Sequence, residues 1–94
     1  MDIAKADLVE ATAGREQGKV FLVIDVQDEF LLLADGKYRK LEAPKRKKCK
    51  HVRPLPGDCG RVAEKIRRNE KITNSELRKA IAAYRDSGNP DQEG

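Results

Sequence analysis

The apolar run Val20-Phe21-Leu22-Val23-Ile24-Asp25-Val26 constrains this chain of 94 residues more than any other stretch of it. It is crowded with β-branched and aromatic residues and is too short for most helices. A polar break, Gln27-Asp28-Glu29, separates it from a second apolar run, Phe30 to Ala34. Two such runs, so spaced, predict a β-hairpin. A further turn is signalled at Asp35-Gly36, because a type I′ turn needs positive φ at both central residues and Asp-Gly meets that need at little cost. It leads into a third strand, Lys37 to Leu41. Asp7 to Ala11 reads as a short first strand. After Pro44, Lys50 to Arg53 reads as a last one, stopped by Pro54 and Pro56. Five short strands packed so closely predict a mainly β fold, a small barrel.

The pattern changes after Pro54-Leu55-Pro56-Gly57. Asp58 is placed to cap a helix whose apolar positions, Val62 and Ile66, lie on one face, and this helix should fade near Asn69. A second helix is better marked. Thr73 and Glu76 have the spacing of a capping box, in which hydroxyl and carboxylate each satisfy a backbone N–H at the helix start. Leu77, Ala80, Ile81 and Tyr84 follow at helical spacing, and Gly88 with Pro90 supplies the stop. The expected organisation is a barrel over residues 1–56, a helical hairpin over 57–88 and a frayed tail over 89–94. Helices this short are marginal in isolation, so the hairpin must dock. Two readings stay open for it, a plug for one end of the barrel and a surface for a partner.

Charge is distributed unevenly. Residues 1–34 hold three basic and seven acidic residues, a net of −4; residues 35–56 hold nine and two, a net of +7; residues 57–94 hold eight and seven. The positive charge therefore sits in Lys37 to Arg53, which is the footprint expected for a polyanionic partner. Basic membrane anchors share this feature but add an apolar face or a lipidation motif, and neither is visible. Met1 to Val9 carries Asp2 and Asp7 and lacks the apolar core of a signal peptide. Two cysteines, Cys49 and Cys59, do not make a secreted disulfide framework. A cytoplasmic protein with no membrane partner is expected.

The most specific motif is Gly14-Arg15-Glu16-Gln17-Gly18-Lys19-Val20, with two glycines four apart between a short strand and the long apolar one. Glycine at such places allows positive φ or close approach of backbone to a partner. With Asp7-Leu8-Val9 before it, the segment resembles the KOW motif, a strand-loop-strand unit of ribosomal proteins and transcription elongation factors. Leu31-Leu32-Leu33-Ala34-Asp35-Gly36, Arg39-Lys40-Leu41 and Lys50-His51-Val52 are similar to the matching strands of one subfamily. It comprises the fourteenth-type large-subunit ribosomal proteins of archaea and eukaryotes and short bacterial KOW-domain RNA-binding proteins. The resemblance spans residues 5–54. It implies an SH3-like barrel whose basic loops rest on ribosomal RNA, with ribosomal proteins as further neighbours. Gln17 stands where many KOW loops carry lysine, which moves the expected RNA contacts toward residues 37–53.

That stretch suits RNA on its own account. Lys45-Arg46-Lys47-Lys48, then Lys50 and Arg53, place like charges so densely that a polyphosphate partner relieves their repulsion, with counterion release favouring the complex. Lys37, Arg39, Lys40, Lys45, Arg46, Lys47, Lys48, Lys50 and Arg53 are expected to form one cationic surface. Arg15, Lys19 and His51 are further candidates, and Gly14 and Gly18 shape the loop. Phosphate contacts position a protein without reading sequence, and only one aromatic residue, Tyr38, lies in the stretch, so recognition of RNA shape is expected. The alternative is a protein-interaction module acting in transcription elongation or ribosome assembly.

Other chemistries find little support. Cys49, His51 and Cys59 match no usual zinc spacing and lack a fourth ligand. A Cys49–His51 catalytic pair has no orienting acid. Gly14-x-x-x-Gly18-Lys19 lacks the full spacing and the hydroxyl residue of a nucleotide-triphosphate loop. The chain is therefore expected to be no enzyme and to take no cofactor, metal or small-molecule substrate.

Overall fold

The computed structural model describes residues 3–86. Five strands form one antiparallel sheet: β1 (Leu8–Ala11), β2 (Val20–Gln27), β3 (Phe30–Ala34), β4 (Lys45–Lys48) and β5 (Val52–Pro54), in the order β4-β3-β2-β1-β5. Two helices follow, α1 (Gly60–Arg67) and α2 (Asn74–Asp86).

The apolar stretch Val20 to Ile24 of β2 is explained by burial on both faces, since successive side chains of a strand point to opposite sides. On one face Phe21 and Val23 join Val9, Ala11, Leu31, Leu33, Cys49 and Val52 in a core cluster. On the other, Leu22 lies opposite Leu8 and Ala34, and this row packs against Val62, Ala63 and Ile66 of α1 and Leu77 and Ile81 of α2. The helices thus cover a face of the sheet and do not plug an end of a barrel.

The barrel is not closed. β4 and β5 are the two edges, and a 3-10 turn, Cys49–His51, spans the gap between them. The Cys49 N–H donates to the Glu29 carbonyl at 2.9 Å, and the Thr12 N–H donates to the His51 carbonyl at 2.8 Å. These bonds fasten the turn where a strand ladder would otherwise run. The last strand therefore starts at Val52, not Lys50, and Pro54 lies within it. Proline is tolerated there because an edge strand leaves one side of its backbone unpaired.

Residues 37–41 are not a strand, and the Asp35-Gly36 turn is not type I′. Gly36 has φ +79°, but Asp35 is absent from the positive-φ residues among those described. The Asp35 carboxylate instead accepts from the Lys37 and Arg39 N–H groups, each at 2.9 Å, and the Asp35 N–H donates to the Arg39 carbonyl at 2.9 Å. An aspartate closing its own loop in this way competes with strand pairing. Asn74 secures the far end, its side chain accepting from Leu41 N–H at 2.8 Å and donating to Glu42 at 2.7 Å. The strand that pairs with β3 on the side away from β2 is Lys45–Lys48, four consecutive cations.

Both helix starts and the first helix end follow local chemistry. Asp58 accepts from the Gly60 N–H at 2.8 Å, acting from the residue before the N-cap, Cys59. The Glu70 N–H donates to Lys65 and the Asn69 N–H to Ile66, with Asn69 at φ 60°, so a Schellman motif ends α1 at the expected place. Thr73 and Glu76 form the capping box reciprocally, at 3.1 and 2.9 Å. The expected stop at Gly88 and Pro90 and the tail lie outside the described residues.

Candidate nucleic-acid interface

The loop between β1 and β2 is shaped by its two glycines, Gly14 at φ +80° and Gly18 at φ +88°. The Gly18 N–H donates to the Ala11 carbonyl at 2.8 Å and closes the loop. This fold carries Glu16 inward, where it is only 7% exposed. Its carboxylate accepts from Arg39 at 2.6 Å and faces the Lys47 ammonium at 3.5 Å. The Arg39 hydrogen bond, with Lys45, Arg39 and Lys47 adding their charge against the cost of burial, holds the Glu16 carboxyl at about 2.

Glu16 redraws the expected cationic surface. Lys47 is buried, with 8% exposure, so its charge is spent on Glu16 and it leaves the accessible set. Sequence counting missed this because a glutamate distant in the chain contributes nothing to a local charge sum. The remaining cations of β4 do not share one face either. Lys45 and Lys47 stand opposite Leu33 and Leu31, on the side of the interior cluster. Arg46 and Lys48 stand opposite Leu32 and Phe30, and the Arg46 guanidinium lies 3.6 Å from the centre of the Phe30 ring. At the other edge, Arg53 pairs with Glu10 across β5 and β1 at 2.5 Å.

Lys37, Lys40, Lys45, Arg46, Lys48 and Lys50 make no ion pair among the described residues. Lys37, Lys40, Arg46 and Lys50 are exposed; Lys45, Lys48 and His51 are half-buried, and Arg15 is exposed on the glycine loop. β4 is also a sheet edge, and lysines on an edge discourage pairing with a second copy. The cationic strand therefore has one structural consequence independent of any ligand.

Lys19 and Lys37 are brought together around Tyr38. The Lys19 ammonium lies 4.0 Å and that of Lys37 5.1 Å from the ring centre. They border a groove of about 610 Å³ between the glycine loop, residues 35–38 and α2. From α2 the groove receives Arg78 and Arg85, two cations not anticipated as site residues. Their signal was present: Arg78, Ala82 and Arg85 recur at the helical spacing of a face adjoining Ile81.

Cys49 and Cys59 belong to opposite faces of the sheet, Cys49 in the interior cluster and Cys59 against the helix-side cluster. Both are free thiols, and burial, with Asp58 adding to it, pushes the Cys59 thiol up to about 11. Among the described residues no group of three or more His, Cys, Asp or Glu side chains is placed to hold a metal ion. No helix among them is long and apolar enough to cross a membrane. In comparisons with known proteins, no family model matches the chain and no curated protein matches its sequence significantly.

Proposed function

We propose that this protein is a nonenzymatic RNA-binding module of the KOW type, acting in the cytoplasm on structured RNA, with ribosomal RNA as its partner. The observation that carries the reading is the set of six cations between Lys37 and Lys50 that form no ion pair among the described residues. A folded domain holds such a concentration against its own repulsion, and a phosphate backbone relieves it. The motif supports the same reading. Gly14 and Gly18 take positive φ, and their loop joins β1 to β2 in an antiparallel pair, an arrangement that suits a strand-loop-strand unit of the KOW type. A meander of four strands, with a fifth returning beside the first around one apolar cluster, suits an SH3-like barrel left open at one seam.

The test is sedimentation of cell lysate through a sucrose gradient at low and then at high salt. The protein is expected with the large ribosomal subunit at low salt and released from it at high salt. A position at the top of the gradient under both conditions would overturn the ribosomal assignment. Charge reversal at Arg46, Lys48 and Lys50 together is expected to release the protein even at low salt, with the circular dichroism spectrum preserved.

A further inference from the structure

Resting on the RNA reading, we propose that the groove beside Tyr38 holds an unpaired nucleotide of the bound RNA, its base stacked on the Tyr38 ring and its phosphate among Lys19, Lys37, Arg78 and Arg85.

The chain has four aromatic residues, and three of them are committed elsewhere. Phe21 is fully buried in the interior cluster, Phe30 lies under the Arg46 guanidinium, and the Tyr84 hydroxyl donates to the Pro56 carbonyl at 2.7 Å. Tyr38 is 62% exposed, on a loop that Asp35 and Asn74 secure by hydrogen bonds on either side of it. An exposed ring on a secured loop gains from covering its apolar face, and it loses little freedom when a ligand does so.

The surroundings select the ligand. Two ammonium groups lie over the ring, and a base that displaces either from the ring face leaves that long side chain free to follow the nucleotide's phosphate, so that stacking and phosphate neutralisation combine. Arg78 and Arg85 extend the cationic lining along α2, against two carboxylates, Asp35 and Asp86. The Asp35 carboxylate is taken up by the Lys37 and Arg39 N–H groups, which reduces its repulsion of an incoming phosphate. At about 610 Å³ the groove is in the size range of small-ligand sites, roughly 300–1,000 Å³. A base inside a duplex has both faces covered by its neighbours and cannot reach Tyr38, so the groove favours a bulge, loop or single strand. This adds one stacked base to the recognition of RNA shape expected from the sequence.

Fluorescence anisotropy with the full chain tests the proposal, using a short single-stranded RNA, the duplex of the same length, and adenosine monophosphate. Tyr38→Leu is expected to weaken single-strand binding about tenfold or more, because base–aromatic stacking contributes at that level, and to leave duplex affinity unchanged. Tyr38→Phe, which keeps the ring, is expected to retain single-strand affinity. Equal single-strand affinity in Tyr38→Leu and the natural chain would overturn the nucleotide site and leave the RNA reading standing. Mononucleotide binding as tight as that of the oligonucleotide would overturn the assignment of the groove to an RNA chain. Failure of the natural chain to bind either RNA would overturn both.

Discussion

Glu16 is the residue on which charge and fold meet. Its carboxylate neutralises Lys47 where that lysine is nearly out of water, and a charge so placed needs a partner. Glu16→Gln is expected to lower stability by about 1.5–3 kcal/mol, the usual contribution of a hydrogen bond to a charged group. A lower urea midpoint with unchanged slope is the measurement. The same site makes stability depend on pH. The folded-state value of about 2 lies below the ordinary 4.5, so the unfolded chain binds the proton first as pH falls. Glu16's contribution is full above pH 4.5 and declines as pH falls from there toward about 2. Glu42 and Glu76 are also held low, by Asn74 and Lys65 first, and add to acid sensitivity. The difference between Glu16→Gln and the natural chain should therefore shrink between pH 7 and pH 3. A constant difference would contradict this account of the site.

Gly36 shows the other constraint a single position can carry. A Cβ there would lie 2.3 Å from the Asn74 carbonyl oxygen, on backbone at φ +79°. Gly36→Ala combines the left-handed penalty, about 1–2 kcal/mol, with a backbone clash. A destabilisation above about 2 kcal/mol is expected in thermal or urea unfolding, with displacement of the 35–42 loop from α2.

Among the elements, α2 has two separable sources of stability. Thr73→Ala removes one half of the capping box and should cost about 1 kcal/mol. Leu77 is fully buried between α2 and the sheet, and Leu77→Ala should cost about 2–5 kcal/mol. Comparison of the two urea midpoints checks the order. If the cap substitution cost more than the core one, docking would not be what holds the helix.

The elements also differ in how plainly the sequence announces them. The β2–β3 hairpin and the α2 cap were legible, because each is marked by local chemistry: an apolar run broken by three polar residues, and Thr73 with Glu76. β4 was not. Lys45–Lys48 has no apolar pattern and reads as loop, yet an edge strand needs only one neighbour, and β3 supplies it. Lys37–Leu41 erred the other way. Its position after Asp35-Gly36 suggested a strand, but the Asp35 carboxylate takes the N–H groups that a ladder would use. The site divides along the same line. Its cations were visible in the chain, whereas Glu16's partners, the two faces of β4 and the arrival of Arg78 and Arg85 depend on contacts between distant residues.

For the whole molecule, the sheet separates two tasks. One face builds the interior cluster and the other fastens the helices, so among the described residues each face of the sheet packs within the molecule. What the molecule presents outward is charge: the cations of the 37–50 stretch, and the Tyr38 groove between sheet and α2. On the proposed RNA reading, such a surface would bind mainly through backbone phosphates, and that mode of binding has a thermodynamic signature of its own.

The most direct measurement is the equilibrium affinity of the full chain for a structured ribosomal RNA fragment over a series of salt concentrations. If the six cations between Lys37 and Lys50 that form no ion pair among the described residues each neutralise one phosphate, the logarithm of affinity should fall with the logarithm of salt at a slope of about −4 to −5. Charge reversal at Arg46, Lys48 and Lys50 should make that slope shallower. A slope near zero, or the same slope after charge reversal, would contradict the account.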